Sequence, residues 1–148
     1  MNTKLFLSTL TVALLSSAAL PAAAQQKLVP AQSELVFVAK QMGVPITGHF
    51  KKFDAQVSFD AAKLASSKVA FTVDTTSATL GSPQNDAELP KPDWLNTAKF
   101  PQASFASSAF KSIGAGKYEV SGKLTIKGQS RDVMVPVSMT QAGAVTVA

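Results

Sequence analysis

Short stretches in which apolar and polar residues alternate, each ended by turn-forming residues, dominate this sequence. In residues 53–60, Phe53, Val57 and Phe59 are separated by polar positions, which is the two-residue period of a strand with one solvated face. Similar alternation recurs in residues 33–40, 68–74, 118–126 and 131–140, and more weakly in residues 103–110. No segment has the periodicity of an amphipathic helix longer than two turns. The pattern therefore predicts six or seven short antiparallel strands in a barrel or a sandwich.

Three features interrupt the alternation. Residues 75–92 contain one glycine and three prolines, which exclude a continuous helix or strand there. Short helical turns are predicted after Asp60 and Asp93, because aspartate favours the N-cap position. Pro136 lies within the last alternating segment, and its missing N–H predicts a sheet edge, a bulge or a bend at that point.

The composition excludes several classes of function. The chain has no Cys and one His, so it has no disulfide, no thiolate nucleophile, and no Cys-ligated or multi-histidine metal site. The formal net charge is +5, but the lysines are scattered, so nucleic-acid binding is not indicated. Motifs of serine hydrolases, zinc proteases, phosphate loops and dinucleotide-binding folds are absent. The chain is therefore not predicted to be an enzyme; a carboxylate site built on Asp54, Asp60 or Asp74 is the remaining catalytic alternative.

Residues 1–24 are predicted to be a signal peptide, and residues 25–148 a single domain. Lys4 gives a positive start, residues 5–20 are uncharged and rich in Leu and Ala, and Pro21 is followed by three alanines. This order is typical of a cleaved export signal. A membrane anchor is the alternative, but a span needs about 20 strongly apolar residues. The sequence thus predicts export, with cleavage near Ala24.

Three motifs follow one another along the domain. They are Gly48-His49-Phe50-Lys51-Lys52-Phe53-Asp54, then Asp93-Trp94-Leu95-Asn96 with Phe100-Pro101, then Tyr118-x-Val120-x-Gly122-x-Leu124-Thr125-Ile126-x-Gly128. With this series the chain resembles the YceI-like family of exported bacterial proteins, from about Lys27 to its last residue. The resemblance implies periplasmic or secreted localisation and an antiparallel β-barrel of lipocalin type. It also implies an interior that holds a polyisoprenoid tail, such as that of a quinone or a polyprenyl phosphate.

Members of that family continue for several further strands, so the resemblance implies that the closing C-terminal strands are absent here. Residues 144–148 look like the beginning of another strand. A barrel that stops at this point would leave unpaired backbone groups along a sheet edge. The expectation is therefore a single lipocalin-like barrel that is truncated at its C-terminus.

The candidate ligand-binding residues share an apolar character, and all but one lie on the inner faces of alternating strands. They are Phe37, Phe53, Phe59, Phe71, Trp94, Phe105, Leu124, Val135 and Met139. For the strand residues, the alternative is an ordinary packed core. Trp94 is predicted to close one end of the barrel, and the alternative is that it anchors its loop on the core.

The polar residues give less information about function than the apolar ones. Several cations are candidates for contact with a lipid head group, and solvated strand faces are the alternative for each of them. They are Lys51, Lys52, Lys91, Lys123, Lys127 and Arg131. His49 has no partners for a metal site or a catalytic triad and is interpreted as a surface or hydrogen-bonded side chain. No cofactor is predicted apart from a bound polyisoprenoid lipid.

The predicted function is an exported protein that holds a long polyisoprenoid for transport, storage or stress protection. Burial contributes about 0.8 kcal/mol per methylene, whereas association costs about 4–15 kcal/mol. Two or three five-carbon units would therefore only break even, which favours a long tail. The alternative is an envelope interaction protein whose barrel is filled by side chains and takes no small ligand. Transient membrane-surface contact and a homodimer are further partner hypotheses.

Overall fold

The computed structural model describes residues 25–142 and 145–147, and most of these residues form antiparallel β-strands. In chain order the strands are β1 (Gln25–Lys27), β2 (Leu35–Gln41), β3 (Val44–Phe50), β4 (Phe53–Ser58), β5 (Lys68–Asp74), β6 (Ala78–Thr79), β7 (Gln102–Gly114), β8 (Lys117–Ile126), β9 (Gln129–Ser138), β10 (Thr140–Ala142) and β11 (Val145–Val147). The helical segments are α1 (Pro83–Asp86) and the 3₁₀ turns Pro30–Gln32, Leu64–Ser66 and Thr75–Ser77. The all-β antiparallel class is therefore confirmed. The predicted signal peptide lies outside the described residues.

The strands form two main sheets and a hairpin. The larger sheet has the order β1-β4-β5-β7-β8-β9, the smaller has the order β2-β3-β6, and β10 pairs with β11. Within residues 25–142 and 145–147 no sheet closes on itself, so only the antiparallel part of the barrel prediction is confirmed. Pro136 lies in β9, which is an edge strand among these residues. Of the three roles predicted for Pro136, the structure shows a sheet edge.

The two main sheets are joined where two strand pairs bend together. Strand β3 continues into β4 through Lys51 and Lys52, and β5 continues into β6 through a 3₁₀ turn. The Lys51 N–H donates to the Ser77 carbonyl over 3.1 Å, and the Asp74 N–H donates to the Lys52 carbonyl over 3.0 Å. Because backbone pairing continues through the bend, the inner faces of the two sheets form one concave surface.

Two local predictions are corrected. The Asp60 carboxylate accepts the Ala62 N–H, as a cap would, but the chain forms only a tight turn closed by the Lys63 N–H on the Asp60 carbonyl, and the 3₁₀ turn begins at Leu64. After Asp93 the chain forms hydrogen-bonded turns rather than a helix. The turn does not extend into a helix because Asn96 adopts a positive φ of 49°, outside the right-handed helical region.

The long irregular segment is held in place by one carboxylate. Asp86, at the end of α1, accepts the Leu80 N–H over 2.6 Å and the Thr79 hydroxyl over 2.7 Å. The Leu89 side chain, which follows α1, is only 2% exposed, and the Leu95 N–H donates to the Leu89 carbonyl. The absence of a continuous helix or strand in residues 75–92 is confirmed, yet the segment is hydrogen-bonded and packed.

Replacement of Asp86 by Asn should change how stability depends on pH. The hydrogen bonds from Leu80 and Thr79 lower the pKa of the Asp86 carboxyl below its usual value near 3.8. Such a group stabilises the fold above its unfolded pKa, and the contribution is lost as the pH falls through the lower folded pKa. We expect the melting-temperature difference between wild type and Asp86→Asn to be largest at neutral pH and to shrink below about pH 4.

The control for this experiment is Asp54→Asn. Asp54 lies exposed on β4, and its side chain makes no hydrogen bond or ion pair within the described part of the chain. This variant should follow the wild-type melting curve at every pH. If the melting temperature of Asp86→Asn differed from that of wild type by the same amount at pH 7 and pH 2.5, the lost charge would not be the cause of the change in stability.

Candidate functional site

An open apolar cavity occupies the concave surface that the two sheets share. Its volume is about 730 Å³, and its walls come from both main sheets and from the irregular segment. Pockets for small organic ligands usually measure about 300–1,000 Å³ and are lined mainly by apolar side chains. The concave surface of the described residues therefore has room for a small organic ligand.

Most of the predicted ligand-binding residues line this cavity. They are Phe37, Phe71, Phe105, Leu124, Val135 and Met139. Strand pairing explains why they share one surface: Phe71 pairs with Phe105, and Phe105 pairs with Leu124, and directly opposed residues in a sheet point to the same face. Their contact with a ligand remains a prediction.

Three of the predicted residues are not among those that line the cavity. Phe59 comes after the end of β4 and packs against Tyr118 and Phe110, with ring centroids 5.1 Å and 5.9 Å away. Phe53 is the first residue of β4 and pairs with Val73, so it lies at the strand's end. Trp94 is half-buried, and the next residue in the chain lines the cavity instead.

Two motif glycines give wall rings the space in which they lie. Phe37 pairs with Gly48 across β2 and β3, and its ring occupies the position where a Cβ on Gly48 would lie. A Cβ on Gly122 would lie 2.5 Å from Phe105 Cζ and 2.5 Å from the Ala106 carbonyl oxygen. Both glycines thus permit an aromatic ring to lie against the backbone of the neighbouring strand.

Several lining residues were not among the predicted site residues. They include Leu35, Phe50, Val57, Val69, Val73, Leu95, Val120, Val133 and Val137. The two-residue alternation that predicted their neighbours could also have placed the strand residues of this set on the inner face. The Phe50 ring packs against Phe37 in a tilted arrangement, with centroids 4.8 Å apart. Phe50 lies two residues after Gly48, and this spacing could have indicated its face. Leu95 has no such signal, since it lies in an irregular segment.

The cavity is open along two sheet edges. Val120, on the inner strand β8, is 1% exposed, whereas Val135 on β9 is 38% exposed and Val36 on β2 is 45% exposed. Both edge residues line the cavity, but β2 and β9 do not pair with each other. The opening of the cavity therefore lies between the edges of β2 and β9 that are unpaired within the described residues.

A second, smaller cavity adjoins the first at the β8–β9 turn. Its volume is about 480 Å³, and its lining residues are Leu124, Ile126, Lys127, Gln129, Arg131 and Val133. Three of these, Leu124, Ile126 and Val133, also line the large cavity. The two spaces are thus contiguous, and the smaller one contains cationic side chains.

The other candidate cations lie outside both cavities. Lys91 is bound to Glu88, and Lys123 lies 3.2 Å from the Asp132 carboxylate. Lys51 and Lys52 are exposed near the bend between the sheets. His49 is half-exposed, with its Nδ1 2.9 Å from the Glu34 carboxylate, which confirms its interpretation as a hydrogen-bonded surface side chain.

Neither a metal site nor a membrane-spanning helix is found in the described ranges. Within residues 25–142 and 145–147, no three His, Asp or Glu side chains are grouped so that they could hold a metal ion. The helical segments of the same residues are too short to cross a bilayer.

Comparison with known proteins gives consistent matches. The family model described as the YceI-like domain matches residues 26–148. A UPF0312 protein of Shewanella denitrificans is 34% identical over 106 residues, which are 71% of this chain and 56% of that protein. The chain spans about half to three-fifths of the length of the curated relatives that it matches.

Two solved structures share the fold. The crystal structure of Burkholderia cenocepacia BcnA is 45% identical, with a TM-score of 0.76, and the match covers 80% of this chain and 74% of BcnA. A polyisoprenoid-binding domain from Saccharophagus degradans is 15% identical, with a TM-score of 0.60, and the match covers 83% of this chain and 71% of that domain. At this identity the second match shows the fold alone.

Proposed function

The chain belongs to the YceI-like family, and from this premise we propose that it is an exported binding protein which holds a long-chain polyisoprenoid in its apolar cavity. Transport, storage or protection of the lipid under stress is the role that such binding would serve. The observation that carries the proposal is the unfilled cavity of about 730 Å³ with a wall of aliphatic and aromatic side chains.

The physics of the cavity supports a hydrocarbon ligand. A polyisoprenoid tail has no hydrogen-bonding groups, so it requires only apolar surface, and each buried methylene contributes about 0.8 kcal/mol. The wall is concave and already formed, which reduces the cost of ordering the protein on binding. The Saccharophagus degradans domain indicates that a polyisoprenoid is compatible with this fold.

The complete barrel is part of the same proposal. We propose that the opening between β2 and β9 is closed by further strands. The relatives are longer than the part that this chain matches, which is 56% of the Shewanella protein and 74% of BcnA. Strands β2 and β9 are sheet edges among the described residues, so their outer backbone groups are available to pair with added strands. Export through the predicted signal peptide, to the periplasm or the medium, completes the proposal.

A second function is favoured by a different observation. The β2–β3 hairpin carries apolar side chains that are largely exposed: Met42 at its tip at 99%, Val44 next to the tip at 61%, and Val38 in the middle of β2 at 64%. Exposed apolar groups of this kind are typical of surfaces that meet another protein or a membrane. An envelope interaction protein that takes no small ligand and acts through this hairpin is therefore the second candidate.

Lipid analysis of protein purified from its own host would test the carrier. We expect native mass spectrometry to show a bound species, and organic extraction to release a hydrocarbon with a mass ladder of five-carbon units. Delipidated protein should take up the same lipid again. Protein that is free of lipid when purified, and that cannot be loaded with polyprenols of any length, would favour the interaction protein.

A further inference from the structure

The cationic end of the cavity fits a particular class of head group. We propose that Arg131, assisted by Lys127, binds the phosphate of a polyprenyl phosphate whose tail lies in the apolar cavity. This inference rests on the proposed function, and it distinguishes an anionic head group from a neutral one such as a quinone. The strand register, the available hydrogen-bond donors and the position of the two cations support it.

The register of β8 and β9 directs Arg131 toward the cavity. Arg131 pairs with Leu124, and Leu124 lines the large cavity. Directly opposed residues of an antiparallel pair lie on the same face, so Arg131 begins on the concave face. The residues two, four and six positions further along, Val133, Val135 and Val137, line the cavity too. The inner face of β9 thus changes from hydrocarbon to guanidinium at a single position.

That change in polarity matches an amphipathic lipid. The small cavity that holds Arg131 and Lys127 adjoins the large one through Leu124, Ile126 and Val133. A tail in the large cavity would therefore bring its head group to the two cations without leaving the concave surface. Arg131 is exposed, so its charge remains hydrated when the cavity is empty, and no burial cost opposes it.

The donors of Arg131 are available to a ligand. Its guanidinium makes no hydrogen bond or ion pair within the described residues, whereas Lys123 and Lys91 have carboxylate partners. The Lys127 ammonium donates to the Pro92 carbonyl over 2.9 Å, which fixes it beside the turn and leaves two protons for another acceptor. A guanidinium forms paired, charge-assisted hydrogen bonds with phosphate oxygens.

The test compares two ligands with the same tail. Undecaprenyl phosphate and undecaprenol are bound to the full chain in detergent, and both dissociation constants are measured by displacement of a fluorescent hydrocarbon probe. Wild type should bind the phosphate at least about 10-fold more tightly than the alcohol. Arg131→Gln should lower that ratio, mainly through weaker binding of the phosphate, and the remaining preference should come from Lys127. Higher ionic strength should reduce the wild-type ratio.

The control is Lys123→Gln, which removes one positive charge from the opposite face of the same sheet. Its ratio should equal that of wild type, since Lys123 pairs with Asp132 outside both cavities. If Lys123→Gln lowered the ratio as much as Arg131→Gln, the net charge of the protein and not this site would attract the phosphate. If Arg131→Gln proves unstable, Arg131→Lys is used instead. It keeps the positive charge without the paired donors, so we expect its ratio to lie between those of wild type and an uncharged site.

The outcomes separate this inference from the function on which it rests. If wild type binds both lipids equally, the head-group site is overturned and the carrier stands. If neither lipid binds, the carrier itself fails. Millimolar inorganic phosphate is the third comparison. If it lowers the affinity for undecaprenyl phosphate as strongly as Arg131→Gln does, the site takes free anions rather than a lipid head group. That result would also overturn the inference.

Discussion

Replacement of Gly122 by Val is expected to lower the melting temperature by about 4–12 °C. The new Cβ would lie 2.5 Å from the Ala106 carbonyl oxygen and 2.5 Å from the Phe105 ring. The ring could rotate into the cavity, but the carbonyl belongs to the backbone of β7 and can move only if the β7–β8 pairing is disturbed. Overpacking of this kind costs about 1–3 kcal/mol, and in a domain of this size each kcal/mol shifts the melting temperature by about 4 °C.

The matched control is Ser121→Val. Ser121 is the preceding residue of β8 and points to the opposite face, and valine suits a strand position. Thermal unfolding followed by circular dichroism should therefore give a midpoint within about 2 °C of wild type. If Gly122→Val unfolded at the wild-type temperature, the Phe105 ring would not be seated against this glycine, and the shape of the cavity wall would be wrong.

The two-residue alternation was enough to predict which face of most strands is the inner one. It identified Phe71, Phe105 and Leu124 as residues of one surface, and their pairing in the sheet confirms that they share it. The prediction succeeds because side chains in a strand alternate strictly and one face of each of these strands is apolar. Pairing across strands then follows without knowledge of the loops.

Alternation could not predict how far along a strand the cavity extends. Phe59 fits the pattern of β4, yet it lies past the last paired residue, where it meets Phe110 and Tyr118. The register of β7 against β8 also shifts between Ser107 and Ala109. Such a bulge changes which face the later residues occupy, and nothing in a two-residue period reveals it.

The site also depends on contacts that bring distant segments together. Leu95 lines the cavity because hydrogen bonds to Leu89 and the carboxylate of Asp86 hold the irregular segment against the sheets. Trp94 is predicted from the sequence to close one end of the barrel, but its neighbour Leu95 lines the cavity, and nothing in an irregular segment indicates which of two adjacent side chains points inward. Arg131 was one of six candidate cations in the sequence, and only the pairing of β8 with β9 distinguishes it from the exposed lysines.

Replacement of Phe71 by Asp should weaken the affinity for the lipid by about 100-fold or more, and the purified variant should therefore retain little lipid. Phe71 lies in the middle of the concave wall, opposite Ala55 on one side and Phe105 on the other. A hydrocarbon tail packed against an ionised carboxylate would remove its water without offering a hydrogen bond, which costs several kcal/mol. Each 1.4 kcal/mol corresponds to a tenfold loss of affinity.

Stability should change less than binding in this variant, although it should also fall. The cavity is open, so water can hydrate the carboxylate when no lipid is present, and the main loss is the packing of Phe71 beside the Phe105 ring, with centroids 6.4 Å apart. Part of the roughly 1.5–3 kcal/mol that a buried aromatic ring contributes would disappear. Phe71→Leu restores the apolar surface and should recover most of the lipid.

Thr72→Asp is the control that separates the face from the charge. Thr72 follows Phe71 in β5 and is exposed on the outer face, so the same carboxylate one residue further along should leave both the lipid content and the melting temperature near wild type. Lipid content is measured by extraction and mass spectrometry, and stability by thermal unfolding. Retention of lipid by Phe71→Asp, or an equal loss from Thr72→Asp, would mean that this face of β5 does not form the wall of a lipid-binding cavity.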